Sequence, residues 1–233
     1  MKTFKTRAEL KYEVKNLLRG NWKKAILLYL IPMIILYGSG SAGGARSQYN
    51  EAGADISHVI TIAFSSGIIS FIFSLVFLLI TLSATFRGYD WLEDPELDFS
   101  PIKSNFTYFR SPDWWKLIVM YIIVNIFTFL WTLLLVIPGI VKGISYSQTY
   151  FIYKDLNDRG EADNYSLTDY ITRSQQLMTG HKWRYFVLQL SFIGWWILGA
   201  VTVGIGFLWI YPYYKLTMAN FYRDLVANSN VSF

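Results

Sequence analysis

Apolar side chains along this chain gather into long runs that carry no charge. Residues 120–140 read MYIIVNIFTFLWTLLLVIPGI. About 20 such residues in a helix cross a ~30 Å hydrocarbon layer. Similar runs fall at 25–37, 59–86 and 186–214. The pattern predicts an all-α, polytopic membrane helix bundle. It has about six transmembrane helices plus short amphipathic interfacial helices, all in one integral membrane domain over residues 1–233. The expected spans are about 24–38, 58–86, 114–137, 140–156, 183–199 and 207–225.

Polar punctuation sets the elements between these runs. Thr6-Arg7-Ala8-Glu9 is a capping box. Leu10, Val14, Leu17 and Leu18 then share one helical face, with Lys11, Lys15 and Arg19 on the other and Gly20 as a stop. Residues 1–22 are therefore read as a basic amphipathic arm in the cytoplasmic head-group plane, with packing on the bundle as the alternative. Trp22, Lys23 and Lys24 are interfacial anchors for the first span, which Pro32 should kink. A Gly/Ser/Ala loop is expected over 38–47. Span 58–86 would be about 42 Å long, so it must tilt or project. Ser66, Ser70 and Ser74 offer it a contact face. Ser100-Pro101 and Ser111-Pro112 each look like a helix start. Pro138-Gly139 breaks the chain, after which Gly139, Gly143 and Ser147 form a small-residue ladder. Ser166-Leu167-Thr168-Asp169 is a second capping box, Gly180 ends its helix, and residues 202–206 form a tight turn before a span containing Pro212.

Charge distribution tests the count. With six spans and both termini inside, only Arg46 and Lys142 of the 21 Lys and Arg residues fall outside. That asymmetry places the protein in the cytoplasmic membrane with cytoplasmic N- and C-termini. Four or five spans would scatter the cations. The apolar run and small residues before position 43 loosely resemble a signal peptide, but the segment ahead of them is too long and too well patterned.

The chain is 53% hydrophobic, 18% aromatic and only 16% charged, with a net charge of +5. A typical soluble domain carries about 25% charged residues. Because the cations flank apolar runs, the expected partners are membrane lipids, through anionic head groups on the cytoplasmic side. A protein partner or a homo-oligomer is also compatible, and nucleic acid is not expected. No cysteine is present, which excludes disulfides and thiolate chemistry.

No catalytic, cofactor or metal residues are expected. The two histidines, His58 and His181, fall on opposite membrane faces in the six-span reading. No nucleophile–base–orienter set, phosphate-binding loop or calcium-loop spacing occurs. Residues 90–98 are acidic and read as a solvated loop.

Lys215 is the most informative charge, because it sits about midway along the last span. An ammonium there costs ~2.5–3.5 kcal/mol on insertion scales. Snorkelling or structural pairing is the plain reading; a functional site is the sharper one. Tyr211, Tyr213 and Tyr214 are available for ring or hydroxyl contacts. A candidate intramembrane polar site thus comprises Lys215, Tyr211, Tyr214, Asn125 and Gln148. Candidate interfacial lipid contacts are Lys11, Lys15, Arg19, Lys23, Lys24, His181 and Lys182. Lys142 is expected to snorkel toward the outer surface.

The string Arg173-Ser174-Gln175-Gln176-Leu177-Met178-Thr179-Gly180-His181-Lys182, followed by Leu190-Ser191-Phe192-Ile193-Gly194-Trp195-Trp196, resembles the bacterial membrane proteins grouped as the domain-of-unknown-function 975 family. Residues 202–206, 211–213 and 221–223 add to the resemblance, as do Arg7-Ala8-Glu9-Leu10-Lys11, Gly20-Asn21-Trp22 and Pro138-Gly139-Ile140. It implies a multi-span protein of the bacterial cytoplasmic membrane and supplies no activity. Two functional readings follow. One is a non-enzymatic scaffold, regulator or accessory component that binds lipid or a partner protein. The other is a small-solute or ion transporter or channel, with polar faces of spans 3, 4 and 6 lining a path. A membrane enzyme is the weakest reading.

Overall fold

A computed structural model describes residues 4–44 and 56–229, with side chains described outside 37–66. Arg46 lies outside the described residues, and so do the side chains of His58 and Ser66. The described chain is helical with turns and contains no strand. Its helices are α1 (Arg7–Leu18), α2 (Trp22–Gly44), α3 (Ile56–Glu93), α4 (Pro101–Ser104), α5 (Trp114–Leu134), α6 (Val136–Tyr146), α7 (Thr149–Asp158), α8 (Leu167–Leu177), α9 (Lys182–Leu190), α10 (Ile193–Val201) and α11 (Phe207–Asn228).

Among the described residues, three helical stretches are long and apolar enough to cross a membrane: Gly67–Glu93, Trp114–Leu134 and Lys182–Val201. The last contains a two-residue turn at 191–192. Six were expected. The segments over 24–38, 140–156 and 207–225 are not among the three, and for the fourth segment the structure gives a physical cause. The helix predicted over 140–156 is two pieces, α6 and α7, broken at Ser147 and Gln148. No Pro or Gly marks that break. It is held by Ser174 of α8, whose hydroxyl donates to the Ser145 carbonyl at 2.7 Å and accepts the Gln148 N–H at 3.2 Å.

Other boundaries move for local reasons. The α2 helix runs on to Gly44, into the expected loop, and remains helical through Pro32. α3 continues to Glu93, so its 38 residues reach about 57 Å. α5 stops three residues before the expected 137, because Leu135 is extended (φ −158°, ψ 139°). Pro138 therefore sits in the first turn of α6, where its missing N–H costs little. From there α6 folds back along α5, and Gly139 lies against Thr132, with Phe127 and Tyr146 6.4 Å apart further down. The tight turn before α11 is present, with positive φ at Val203 (54°) and Gly204 (89°).

Burial divides the molecule. Large apolar side chains are exposed along 68–76, 126–141 and 193–205. Apolar surface of that extent marks contact with lipid rather than water. The segments 79–92 and 210–225 are mostly buried, and α11 packs against α1, α2, α3 and α10. Around the α4 helix and the 3-10 turn Thr107–Arg110, Ile102, Phe106 and Phe109 are exposed.

The arm is placed differently from its first reading. The Thr6 capping box forms, with Glu9 N–H donating to the Thr6 hydroxyl at 3.3 Å and Thr6 N–H donating to the Glu9 carboxylate at 2.6 Å. The apolar face of α1, however, is consumed by protein: Leu10, Val14 and Leu18 are buried in the core. Asn220 of α11 donates to the Leu10 carbonyl at 3.0 Å and to Glu13 at 2.9 Å. Glu13 also pairs with Lys5 at 2.5 Å and Arg223 at 3.1 Å. Asp224 accepts from the Lys5 N–H at 3.1 Å and pairs with Arg184. The arm is a strap on α11, so its greasy side has no surface left for lipid.

Candidate functional site

Lys215, on the middle of α11, lines a cavity of about 160 Å³. α3 contributes Thr81 and Thr85, the α6–α7 break contributes Ser147, α7 contributes Tyr150, and α9 contributes Tyr185. Tyr214 of α11 completes the polar wall, while Leu82, Phe86, Phe151 and Met218 supply the apolar one. The Lys215 ammonium lies 5.6 Å from the centre of the Tyr211 ring. No carboxylate among the described residues pairs with it.

The neighbouring hydroxyls differ in their commitments. Thr85 donates to the Thr81 carbonyl at 2.7 Å, and Ser147 donates to the Ile144 carbonyl at 2.8 Å while accepting from Gln148 at 2.7 Å. Thr81 Oγ1 is buried and has no partner, as is Gln148 Oε1.

The structure gathers part of the expected polar set. Lys215, Tyr214 and, through Ser147, Gln148 converge on one region. Tyr211 touches Lys215 with its ring face and meets Tyr29 of α2 edge-on at 5.8 Å. Asn125 is elsewhere: it is exposed on α5 and donates back to the Tyr121 carbonyl at 2.7 Å. Bonding its own helix lets an amide face lipid without a partner on another helix. Thr81, Thr85 and Tyr185 belong to the cavity without having been singled out in the sequence, and Ser147, read there as a ladder contact, lines it too. Thr81 and Thr85 share a face at four-residue spacing, a cue swamped by the surrounding apolar run.

The expected lipid contacts divide. Lys11 turns inward, donating to the Ser191 carbonyl at 3.0 Å with its ammonium 4.1 Å from the Phe192 ring centre. Burial lowers its pKa, with Lys15 and Arg7 adding to the effect. Lys24 caps the Leu97 carbonyl at 2.6 Å and lies 4.4 Å from the Phe99 ring. Both are tied to protein, because a carbonyl and a ring face replace the head group each would have met. Lys15, Arg19 and Lys23 remain exposed, and Lys182 is half-buried. His181 packs on Phe4 with ring centres 4.3 Å apart, and burial, then Arg184, lower its pKa. Lys142 does not extend outward; it donates to Gln175 of α8 at 3.3 Å and lies 4.7 Å from the Trp131 ring.

A second cavity, of about 250 Å³, lies among Ser83, Arg87, Asp90, Tyr108, Lys154 and Asp158. The Lys154 ammonium is held between Asp90 and Asp158, the latter at 2.5 Å, and Arg87 lies 3.5 Å from Asp90. Two cations and two carboxylates balance there. The charged residues come from α3 and α7, which the sequence does not show to be neighbours.

Neither a curated protein nor a solved structure matches this chain. A family model does match, over residues 59–229, and leaves the strap and α2 outside the matched range. With most of the chain covered, the protein belongs to the family described as protein of unknown function (DUF975).

Proposed function

We propose that this protein is a non-enzymatic component of the bacterial cytoplasmic membrane: a scaffold, regulator or accessory subunit that binds lipid or a partner protein. It crosses the bilayer six times with both termini on the cytoplasmic side, using broken segments α6–α7 and α9–α10 as full crossings. The exposed cations of the strap and its junction, Lys15, Arg19 and Lys23, face anionic head groups.

One observation carries this reading: the polar side chains of the spans are mostly satisfied within their own helices. Asn125 bonds Tyr121, Thr132 bonds Thr128 at 2.8 Å, Ser145 bonds Val141 at 2.8 Å and Thr217 bonds Tyr213 at 2.7 Å. A solute path needs such groups turned toward one another around water. The second reading, a small-solute or ion transporter, draws support from the Lys215 cavity beside a discontinuous helix.

Crosslinking in the native membrane followed by mass spectrometry separates the two. A reproducible protein neighbour, with no solute flux in liposomes containing the purified protein, is expected. Flux abolished by Lys215→Met, with no neighbour captured, overturns the first reading in favour of the second. Labelling from outside the cell that reaches residues 159–182 overturns the six-span topology.

A further inference from the structure

We infer that the Lys215 cavity is a binding site for a compact oxyanion, the chemistry shared by inorganic phosphate and the phosphate of a membrane lipid. The inference rests on neither functional reading above, since a scaffold and a transporter can each hold an anion.

An ammonium taken out of water is costly unless it is paired. Lys154, a deeply buried cation near this core, is paired twice, with Asp90 and Asp158, whereas Lys215 is partly buried. Lys215 has no carboxylate partner among the described residues, and its ammonium lies over the Tyr211 ring. A ring face at 5.6 Å supplies a fraction of what a counter-ion would. The cavity therefore carries a net positive charge, whereas the Arg87–Asp90–Lys154–Asp158 cavity is balanced.

The walls fit the same chemistry. Thr81, on α3 opposite α11, lines this cavity and carries a buried hydroxyl with no partner. Tyr150, Tyr185 and Tyr214 line it as well, the last two already bonded to Gln189. Ammonium and hydroxyl donors around one space are what an oxyanion's lone pairs require. The volume sets the size class. At ~30 Å³ per water, 160 Å³ holds about five waters. That suits a tetrahedral or trigonal oxyanion with residual water, and it is below the ~300 Å³ at which drug-sized ligands begin.

The test uses the full-length protein in detergent micelles and again in phosphatidylcholine vesicles. Inorganic phosphate is titrated against the wild type, Lys215→Met, Lys215→Arg and Thr81→Val. Phosphatidylglycerol is added to parallel samples and its retention read by native mass spectrometry. A charge-assisted hydrogen bond is large enough to change affinity by about 10–100-fold. Lys215→Met is thus expected to weaken phosphate or phosphatidylglycerol binding at least that much, while Lys215→Arg retains it. Thr81→Val, which leaves the cation in place, is expected to weaken it by a few-fold. Phosphate bound and not displaced by phosphatidylglycerol identifies a free anion; displacement identifies a lipid phosphate. Failure of the wild type to bind either, or equal binding by wild type and Lys215→Met, overturns the inference. Should Lys215→Met not fold, unchanged binding in Thr81→Val overturns it instead.

Discussion

The Ser174 hydroxyl accepts the backbone N–H of Gln148 at 3.2 Å and so occupies the place of a carbonyl in a helix that has stopped. Its own proton goes to the Ser145 carbonyl at 2.7 Å. One side chain from α8 thereby satisfies both ends of the α6–α7 break. All three residues are buried, so no solvent replaces the bonds. Ser174→Ala leaves a buried donor unpaired, at a cost of about 1–3 kcal/mol. A lowered midpoint in SDS-induced unfolding, accompanied by weaker protection of the residue 145–150 amides in hydrogen exchange, is the expected result. An unchanged midpoint would show that the break does not depend on Ser174.

This break marks the limit of what the sequence discloses. Local chemistry was legible: both capping boxes form, Gly20 and Gly180 take positive φ after their helices, and Pro138-Gly139 opens a fold-back. Long-range polar contacts were not. Ser147-Gln148 has no breaker residue, and its interruption depends on a serine 26 positions away. Lys11 and Lys24 look like head-group anchors from their neighbours in sequence, yet each finds a carbonyl 73 or more positions away. Lys215 was visible as an anomaly, because an uncompensated charge in an apolar run stands out locally. Which walls surround it was decided by helix packing.

The strap depends on a buried carboxylate. Asp224 has a fully buried side chain and accepts from the Lys5 N–H, Arg184 and Asn228. Replacing it by Asn removes the charge and leaves Arg184 facing a neutral amide. Breaking one partner of a buried pair costs about 3–5 kcal/mol; the Arg184 side chain, 23% exposed, recovers some of this through water. Asp224→Asn should therefore destabilise by about 2–3 kcal/mol. It should also speed proteolysis at the strap lysines relative to the rest of the chain. Equal protection of the strap in wild type and variant would separate its docking from Asp224.

Acid should loosen the same strap in two stages. His181, lowered below its usual 6.5, favours the neutral ring against Phe4. Its contribution is complete above pH 6.5 and is lost as pH falls through its folded value. Burial alone would raise Glu13, but hydrogen bonds from Lys5 and Asn220 and the charges of Lys5 and Arg223 hold it below 4.5. Its contribution is present above pH 4.5 and disappears as pH falls further. Thermal unfolding between pH 8 and 3 should show stability falling across both windows. His181→Asn should flatten the first limb and Glu13→Gln the second. A Glu13→Gln profile parallel to wild type below pH 4.5 would remove Glu13 from the account.

Close approach of α6 to α5 is set at a single glycine. A Cβ on Gly139 would fall 2.8 Å from the Thr132 Cα, and backbone does not yield as a side-chain tip does. A Cβ on Gly143, one turn on, would meet only the Thr128 methyl at 3.8 Å, an ordinary contact. The two positions look equivalent in a small-residue ladder, yet only the first needs to be small. Overpacking typically costs about 1–3 kcal/mol, so Gly139→Val should prise the hairpin apart and destabilise by at least that much. Gly143→Ala places a better helix former where there is room and should be neutral or stabilising by up to ~1 kcal/mol. Melting temperatures of both variants in one detergent decide the matter. Equal losses at the two glycines would mean that α6 packs on a different face, and the α5–α6 hairpin would have to be rebuilt.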